Sequence, residues 1–140
     1  MDTNRFFEVR AELEDLARNV LDQKGIAYAQ EAVSQDRLAN FKRSAKFYGV
    51  SPFQVLGIFM AKHLDSLQTW IREASEGGPI PAMVGGETVE GRIVDIRNYL
   101  DLLYAMYREV TQEEARMMLG DVIHADAARS DVYPSKGRMS

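Results

Sequence analysis

Residues 88–107 read Thr-Val-Glu-Gly-Arg-Ile-Val-Asp-Ile-Arg-Asn-Tyr-Leu-Asp-Leu-Leu-Tyr-Ala-Met-Tyr, and their spacing constrains the fold more than any other stretch. Val89, Ile93, Ile96, Leu100, Leu103 and Tyr107 recur at 4-3-4-3-4 intervals, the pattern of one buried helix face. Beside them runs a second row at the same period: Arg92, Asp95, Tyr99, Leu102 and Met106. An arginine and an aspartate half-sunk in an apolar helix cost free energy unless something pairs them, so this row predicts a polar pocket. A plain ion pair at i,i+3 on a solvated face would contribute only about 0.2–0.5 kcal/mol.

The rest of the chain carries helix signals of the same kind. A first helix is expected over Arg5–Gln23, with Phe6, Val9, Leu13, Leu16 and Val20 as its stripe and Gly25 as a left-handed stop. A connection over 25–35 includes Tyr28. Asp36 is a plausible N-cap for a second helix whose Leu38, Phe41, Ala45 and Tyr48 share a face, closed by Gly49-Val50. Ser51-Pro52-Phe53-Gln54 is the clearest local signal: a serine cap, proline in the first turn and glutamine at the capping-box position. The third helix should run to about Ala74 and, apolar on most sides, take the central place.

Glu76–Glu87 then reads as a long loop, with four glycines and two prolines. Ile80 and Met83 within it are expected to close over the pocket or to meet a neighbouring subunit. A fourth helix covers about Thr88–Val110. Thr111-Gln112-Glu113-Glu114 reads as a second capping box opening a fifth helix, with Ala115, Met118, Leu119 and Val122 inward. Pro134 and Gly137 mark residues 126–140 as a flexible tail or oligomerisation arm. The expectation is an all-α bundle of four to five helices forming one domain over 1–125, with a long loop between helices 3 and 4. Apolar residues on more than one helix face predict a homo-oligomer, a dimer or larger.

Composition narrows the function classes. Zero cysteines remove disulfides, thiolate metal sites and cysteine nucleophiles. No apolar run approaches the ~20 residues of a membrane span, and Asp2 and Glu8 break any signal sequence, so a cytoplasmic protein without membrane contact is expected. A net charge of −4 argues against general nucleic-acid binding. The charge is uneven, however. Arg37 to Leu64 holds five basic residues and no acid, as a site for a small anion would.

Four polar constellations fall on or beside these helices: Lys24-Gly25-x-x-Tyr28, Asp36-Arg37-x-x-Asn40-Phe41, Lys62-His63-x-Asp65, and Glu90-Gly91-Arg92-x-x-Asp95-x-x-Asn98-Tyr99. Lys62 interrupts the most apolar stretch, although a lysine stem also covers apolar surface while its ammonium stays wet. His63, on a mostly apolar helix, reads more readily as a hydrogen-bonded core or rim residue than as a catalyst. Arginine suits bidentate phosphate contacts and lysine supplies a point charge, which assigns oxygen contacts to Arg37, Lys62 and Arg92. Asn40, Asp65, Asp95 and Asn98 would orient those groups or read a base or ribose, and Tyr28 or Tyr99 would stack.

These short motifs, over roughly residues 15–107, resemble small phage and prophage proteins of the first nucleotide-modification-associated domain family. The resemblance implies a helical fold, a bacterial host cell and a link to phage nucleotide metabolism. On that footing the expected function is binding of a nucleotide or nucleotide-derived signal, of cyclic or ADP-ribose type, held as an anti-defence sponge without a cofactor. A fainter resemblance is to all-α MazG-like pyrophosphohydrolases, which hold Mg²⁺ on a triphosphate through paired carboxylates. That alternative would use Glu87, Glu90 and Asp95, with Arg92 standing where a ligating carboxylate is needed. A third reading is a structural or partner-binding protein with no small ligand.

Overall fold

The computed structural model describes residues 1–28 and 36–130, the side chains of 25–28, 122–123 and 125–130 excepted. Among the described residues the protein is an all-α bundle. Helices α1 (Thr3–Tyr28), α2 (Ala39–Tyr48), α3 (Pro52–Ser75) and α4 (Val89–Ser130) are joined by one two-stranded hairpin between α3 and α4, β1 (Met83–Val84) and β2 (Glu87–Thr88). The chain divides into two compact units, Met1–Tyr104 and Ala105–Ser140. The first holds the core and every residue of the site described below. The second holds the C-terminal part of α4, where Arg116 pairs with Glu113 on the surface.

Local signals explain most of the boundaries. Ser51 caps α3 as its sequence predicts: its hydroxyl accepts from the Gln54 N–H at 3.2 Å, and the Gln54 carboxamide accepts from the Ser51 N–H at 2.9 Å. Gly49 closes α2 at φ +67°, and the Val50 N–H reaches back to the Ala45 carbonyl. Asp36 stands two residues before the N-cap, Leu38: its carboxylate accepts from the Leu38 N–H at 2.8 Å, and helix α2 begins at Ala39. Lys42 donates to the same carboxylate at 2.7 Å, and that bond holds the Asp36 pKa below its ordinary value against the cost of burial.

Three expectations are corrected. The helix does not stop at Gly25 but continues to Tyr28, and residues 29–35 of the expected connection lie outside the described residues. Thr111 opens no fifth helix: α4 runs unbroken through it, and the hydroxyl bonds back to the Tyr107 and Arg108 carbonyls at 3.0 and 3.2 Å. A capping box needs a chain that is not yet helical, and here the preceding turns already satisfy the backbone. Met118 and Leu119, expected inward, are exposed. Of the expected tail, residues 126–130 belong to α4 and 131–140 lie outside the described residues.

The segment read as a structureless loop contains the hairpin. Met83 stands opposite Thr88 and Val84 opposite Glu87, joined by Gly85 (φ +56°) and Gly86 (φ +79°). Two consecutive left-handed residues are what a two-residue type I′ turn requires, and Gly-Gly supplies them without a Cβ penalty. Val84 is buried, and the Trp70 indole N–H of α3 donates to the Pro81 carbonyl at 2.7 Å. The Val89 N–H donates to the Ala82 carbonyl and the Thr88 hydroxyl accepts from Gly91, so the turn leads directly into α4. Ile80 and Met83, expected as lid contacts, are exposed.

The core is small: Ala17, Leu38, Phe41, Ala45, Val55, Leu56, Val84, Val89 and Val94 in the first unit. Phe41 meets Phe59 at a ring distance of 6.0 Å where α2 crosses α3. In α4 the apolar row is only partly buried: Val89 is in the core and Ile93, Ile96 and Leu103 are half-buried. Leu100 and Tyr107 are exposed, whereas Arg92, Val94 and Asn98 are buried. Tyr48 of the expected α2 face is exposed as well.

Candidate functional site

Three elements, α1, α3 and the hairpin, converge on the polar row of α4. His63 of α3 and Arg92 of α4 are only 3% and 5% exposed. One Arg92 nitrogen lies 3.2 Å from His63 Nδ1 and the other donates to the Gly85 carbonyl at 3.0 Å. Glu87 of β2 faces the guanidinium at 3.3 Å. Asp95, one turn along, has one oxygen 3.5 Å from His63 Nδ1 and the other 2.5 Å from the Lys24 ammonium of α1. The Tyr99 ring lies 5.6 Å from the imidazole.

The hairpin is built to receive the guanidinium. A Cβ on Gly85 would stand 3.2 Å from Arg92 Nη2, so the turn needs glycine for its conformation and for the close approach alike. A carbonyl in a fixed turn is a rigid acceptor, and it sets the plane of the arginine.

Protonation follows from the hydrogen bonds. Arginine can only donate, so His63 Nδ1 accepts and the neutral ring carries its proton on Nε2. Burial pushes the His63 pKa below 6.5; the Asp95 carboxylate opposes the shift, and the Lys62 and Arg92 charges reinforce it. Protonation at Nδ1 would end the bond from Arg92 and turn the ring toward Asp95. Nδ1 thus faces two groups, Arg92 and Asp95, and its protonation state decides which of them it can bond.

Beside this cluster, α1 and the start of α4 frame an open cleft of about 310 Å³. Leu16, Val20 and Val94 form its apolar wall, and Lys24, Asp95, Glu90 and Thr88 its polar end. Asn98 follows Val94 by one helical turn on the same face. Its carboxamide is 6% exposed as a residue, and neither its oxygen nor its nitrogen has a partner among the described residues. An orphan amide of this kind costs about 1–3 kcal/mol unless something satisfies it.

The expected site residues divide into two groups. Arg92, Asp95, Asn98 and Tyr99 come together. Arg37 instead pairs with Asp22 at 3.4 Å and caps the Leu21 carbonyl, and Asn40 accepts from Arg43. Lys62 and Asp65 are exposed on other sides of α3 from His63. The Tyr28 side chain lies outside the described residues. Sequence reasoning did not assign Lys24, His63 or Gly85 to the site, and it named Glu87 only as a metal ligand in the magnesium alternative. Lys24 and His63 stood inside quoted motifs, and the Gly85-Gly86 pair was a hairpin signal.

Metal binding can be tested against the same geometry. His63, Glu87 and Asp95 bring ligand atoms within 4.8 Å of one another. Glu90, the third carboxylate of the magnesium alternative, lines the open cleft instead. The Arg92 guanidinium already serves as the cation for His63 and Glu87, so the residues as arranged do not fit an additional Mg²⁺. Comparison with protein-family models, with curated proteins and with solved structures finds no match for this chain.

Proposed function

We propose that this protein binds and holds a small phosphorylated ligand of the nucleotide type in the cleft between α1 and α4. The observation that carries this reading is the cleft itself, which joins an apolar wall to a reachable ammonium. Lys24 is half-exposed and fixed by Asp95, so it can meet an anionic group while a flat ring lies on Leu16, Val20 and Val94. Asn98 lies one turn beyond Val94 but is buried and does not line the cleft, so the reading rests on the cleft's own residues. Arg92 is buried and occupied by Gly85, His63 and Glu87, so its part is to hold the site's shape. The motif pieces that resemble phage nucleotide-associated proteins supply Lys24, His63 and Asp95, which lie far apart in sequence and meet at this place. Sequestration of a nucleotide-derived signal is the form of binding that this reading favours over turnover.

The test is a nucleotide panel, including cyclic and ADP-ribose-type compounds, followed by thermal shift and then by recovery of the ligand after heat denaturation. The expected result is a stabilising shift that Lys24→Ala abolishes and Lys46→Ala leaves in place, with the ligand recovered intact. A ligand recovered chemically changed would replace holding by catalysis. No shift with any member of the panel would remove the nucleotide reading.

A further inference from the structure

The cleft between α1 and α4 offers a ligand a single cation, and that cation already has a partner. Of the residues that line it, Lys24 is positive, whereas Asp95 and Glu90 are negative. Asp95 holds the Lys24 ammonium at 2.5 Å, so an incoming anion shares that lysine with a carboxylate. Glu90 is exposed in the first turn of α4 and has no ion-pair partner among the described residues. Its charge therefore adds to that of Asp95 at the polar end of the cleft.

The other sources of positive charge nearby are spent. Arg92 is buried, does not line the cleft, and is occupied by Gly85, His63 and Glu87. The start of α4 carries about half an elementary positive charge. Its first-turn N–H groups are partly used, however: Val89 donates to the Ala82 carbonyl at 3.0 Å, and Gly91 donates to the Thr88 hydroxyl at 3.0 Å. Glu90, in that same turn, answers the helix dipole itself. A polyphosphate is held by several cations or by a set of free N–H donors converging on it. This cleft has neither among its described residues.

The charge balance limits what can bind. One anionic group can meet Lys24, but a second or third phosphate would lie beside Asp95 and Glu90 with no cation to receive it, and like charges at close range repel. A phosphodiester carries a single negative charge at neutral pH, whereas a terminal phosphomonoester carries about −1.5 to −2. The apolar wall of Leu16, Val20 and Val94 receives an uncharged ring. An ionised Glu90 only accepts hydrogen bonds, so it suits a sugar hydroxyl or a base amino group.

We propose that the cleft selects a nucleotide bearing one phosphodiester charge and rejects polyphosphates, with Glu90 as the residue that determines the choice. The proposal rests on the nucleotide reading of the cleft and narrows its ligand.

The experiment is isothermal titration of the whole protein with the cyclic monophosphate, the monophosphate and the triphosphate of adenosine, and then of guanosine. EDTA is present throughout, so that no Mg²⁺ masks the charge of the triphosphate. Affinity should fall in that order for the nucleoside that binds, by about tenfold or more from first to last. Glu90→Gln keeps the size and an acceptor oxygen but removes the charge. It should narrow the gap several-fold, chiefly through tighter triphosphate binding. A triphosphate held as tightly as the cyclic form by the unaltered protein would overturn the charge selection and leave nucleotide binding standing. A gap unchanged in Glu90→Gln would overturn the assignment of Glu90. Absence of binding by every form of both nucleosides would instead remove the nucleotide reading, and this proposal with it.

Discussion

Replacing Arg92 by methionine tests whether the guanidinium organises the polar cluster or merely occupies it. Methionine keeps most of the apolar stem, so the change isolates the charged end. Three interactions are lost: donation to the Gly85 carbonyl at 3.0 Å, donation to His63 Nδ1 at 3.2 Å and the Glu87 pair at 3.3 Å. Among the described residues the Gly85 carbonyl accepts from Arg92 alone, and a charge-assisted bond to it is worth about 1.5–3 kcal/mol. The His63 bond is partly recoverable, because the ring can change tautomer and donate to Asp95. Glu87 is half-exposed and returns to water, so that pair accounts for roughly 1 kcal/mol at most. Relief of the buried charge acts in the other direction. The net expectation is a loss of about 2–3 kcal/mol, a fall in the urea midpoint of roughly 1–2 M at an unchanged slope. Equilibrium urea unfolding, followed by circular dichroism, reads it. If Arg92→Met were as stable as the unaltered protein, the guanidinium would be a tolerated guest, and the account of a turn built around it would fail.

Gly85→Ala should destabilise by about 1–2 kcal/mol, from the left-handed backbone alone and from the 3.2 Å approach to Arg92 Nη2, whereas Gly86→Ala should show the backbone part only; thermal melts of the pair separate the two causes. Because burial lowers the His63 pKa, the unfolded chain takes up the proton first, so stability present above pH 6.5 should be lost as pH falls toward the folded value. Melting temperature against pH checks this, and His63→Gln should flatten the curve there. Ser51→Ala should cost about 1 kcal/mol as a lost helix cap, while Thr111→Ala should lie within about 0.5 kcal/mol of zero or stabilise, because a mid-helix threonine is a weak helix former. Equal losses for the two would mean that Thr111 does cap a helix end.

What the sequence disclosed followed the range of the forces involved. Ser51-Pro52-Phe53-Gln54 and Gly49-Val50 are local, so their hydrogen bonds form as the spacing predicts. The polar row of α4 was legible because Arg92 and Asp95 are anomalous on an apolar helix whatever surrounds them. Its burial was not: the apolar row Ile93–Leu100 looked like the core side, yet which side of a doubly apolar helix turns inward depends on partners distant in sequence. His63 is the plainest case, since its role rests on a hairpin carbonyl and a carboxylate that its own helix does not announce. Lys62 misled in the opposite sense. A lysine in an apolar run suggested a ligand contact, but Lys62 is exposed on a side of α3 away from the buried His63. Thr111-Gln112-Glu113-Glu114 shows that a cap signal operates only where the chain has another reason to stop.

The Lys24–Asp95 contact joins residues 71 positions apart. The other fastenings of the cluster are nearer: seven residues separate Gly85 from Arg92, and 29 separate His63 from Arg92. Loop closure grows more costly with the length of chain enclosed, so the hairpin and the base of α4 can assemble early, α3 can dock next, and α1 closes over them last. If closure follows that order, the ammonium of the cleft arrives in the final stage of folding. Removing it should hasten unfolding while leaving the folding rate nearly untouched. The cluster can then be fully formed in a chain whose cleft is still open on the α1 side, and a ligand present at that moment would meet its wall and its cation as they come together.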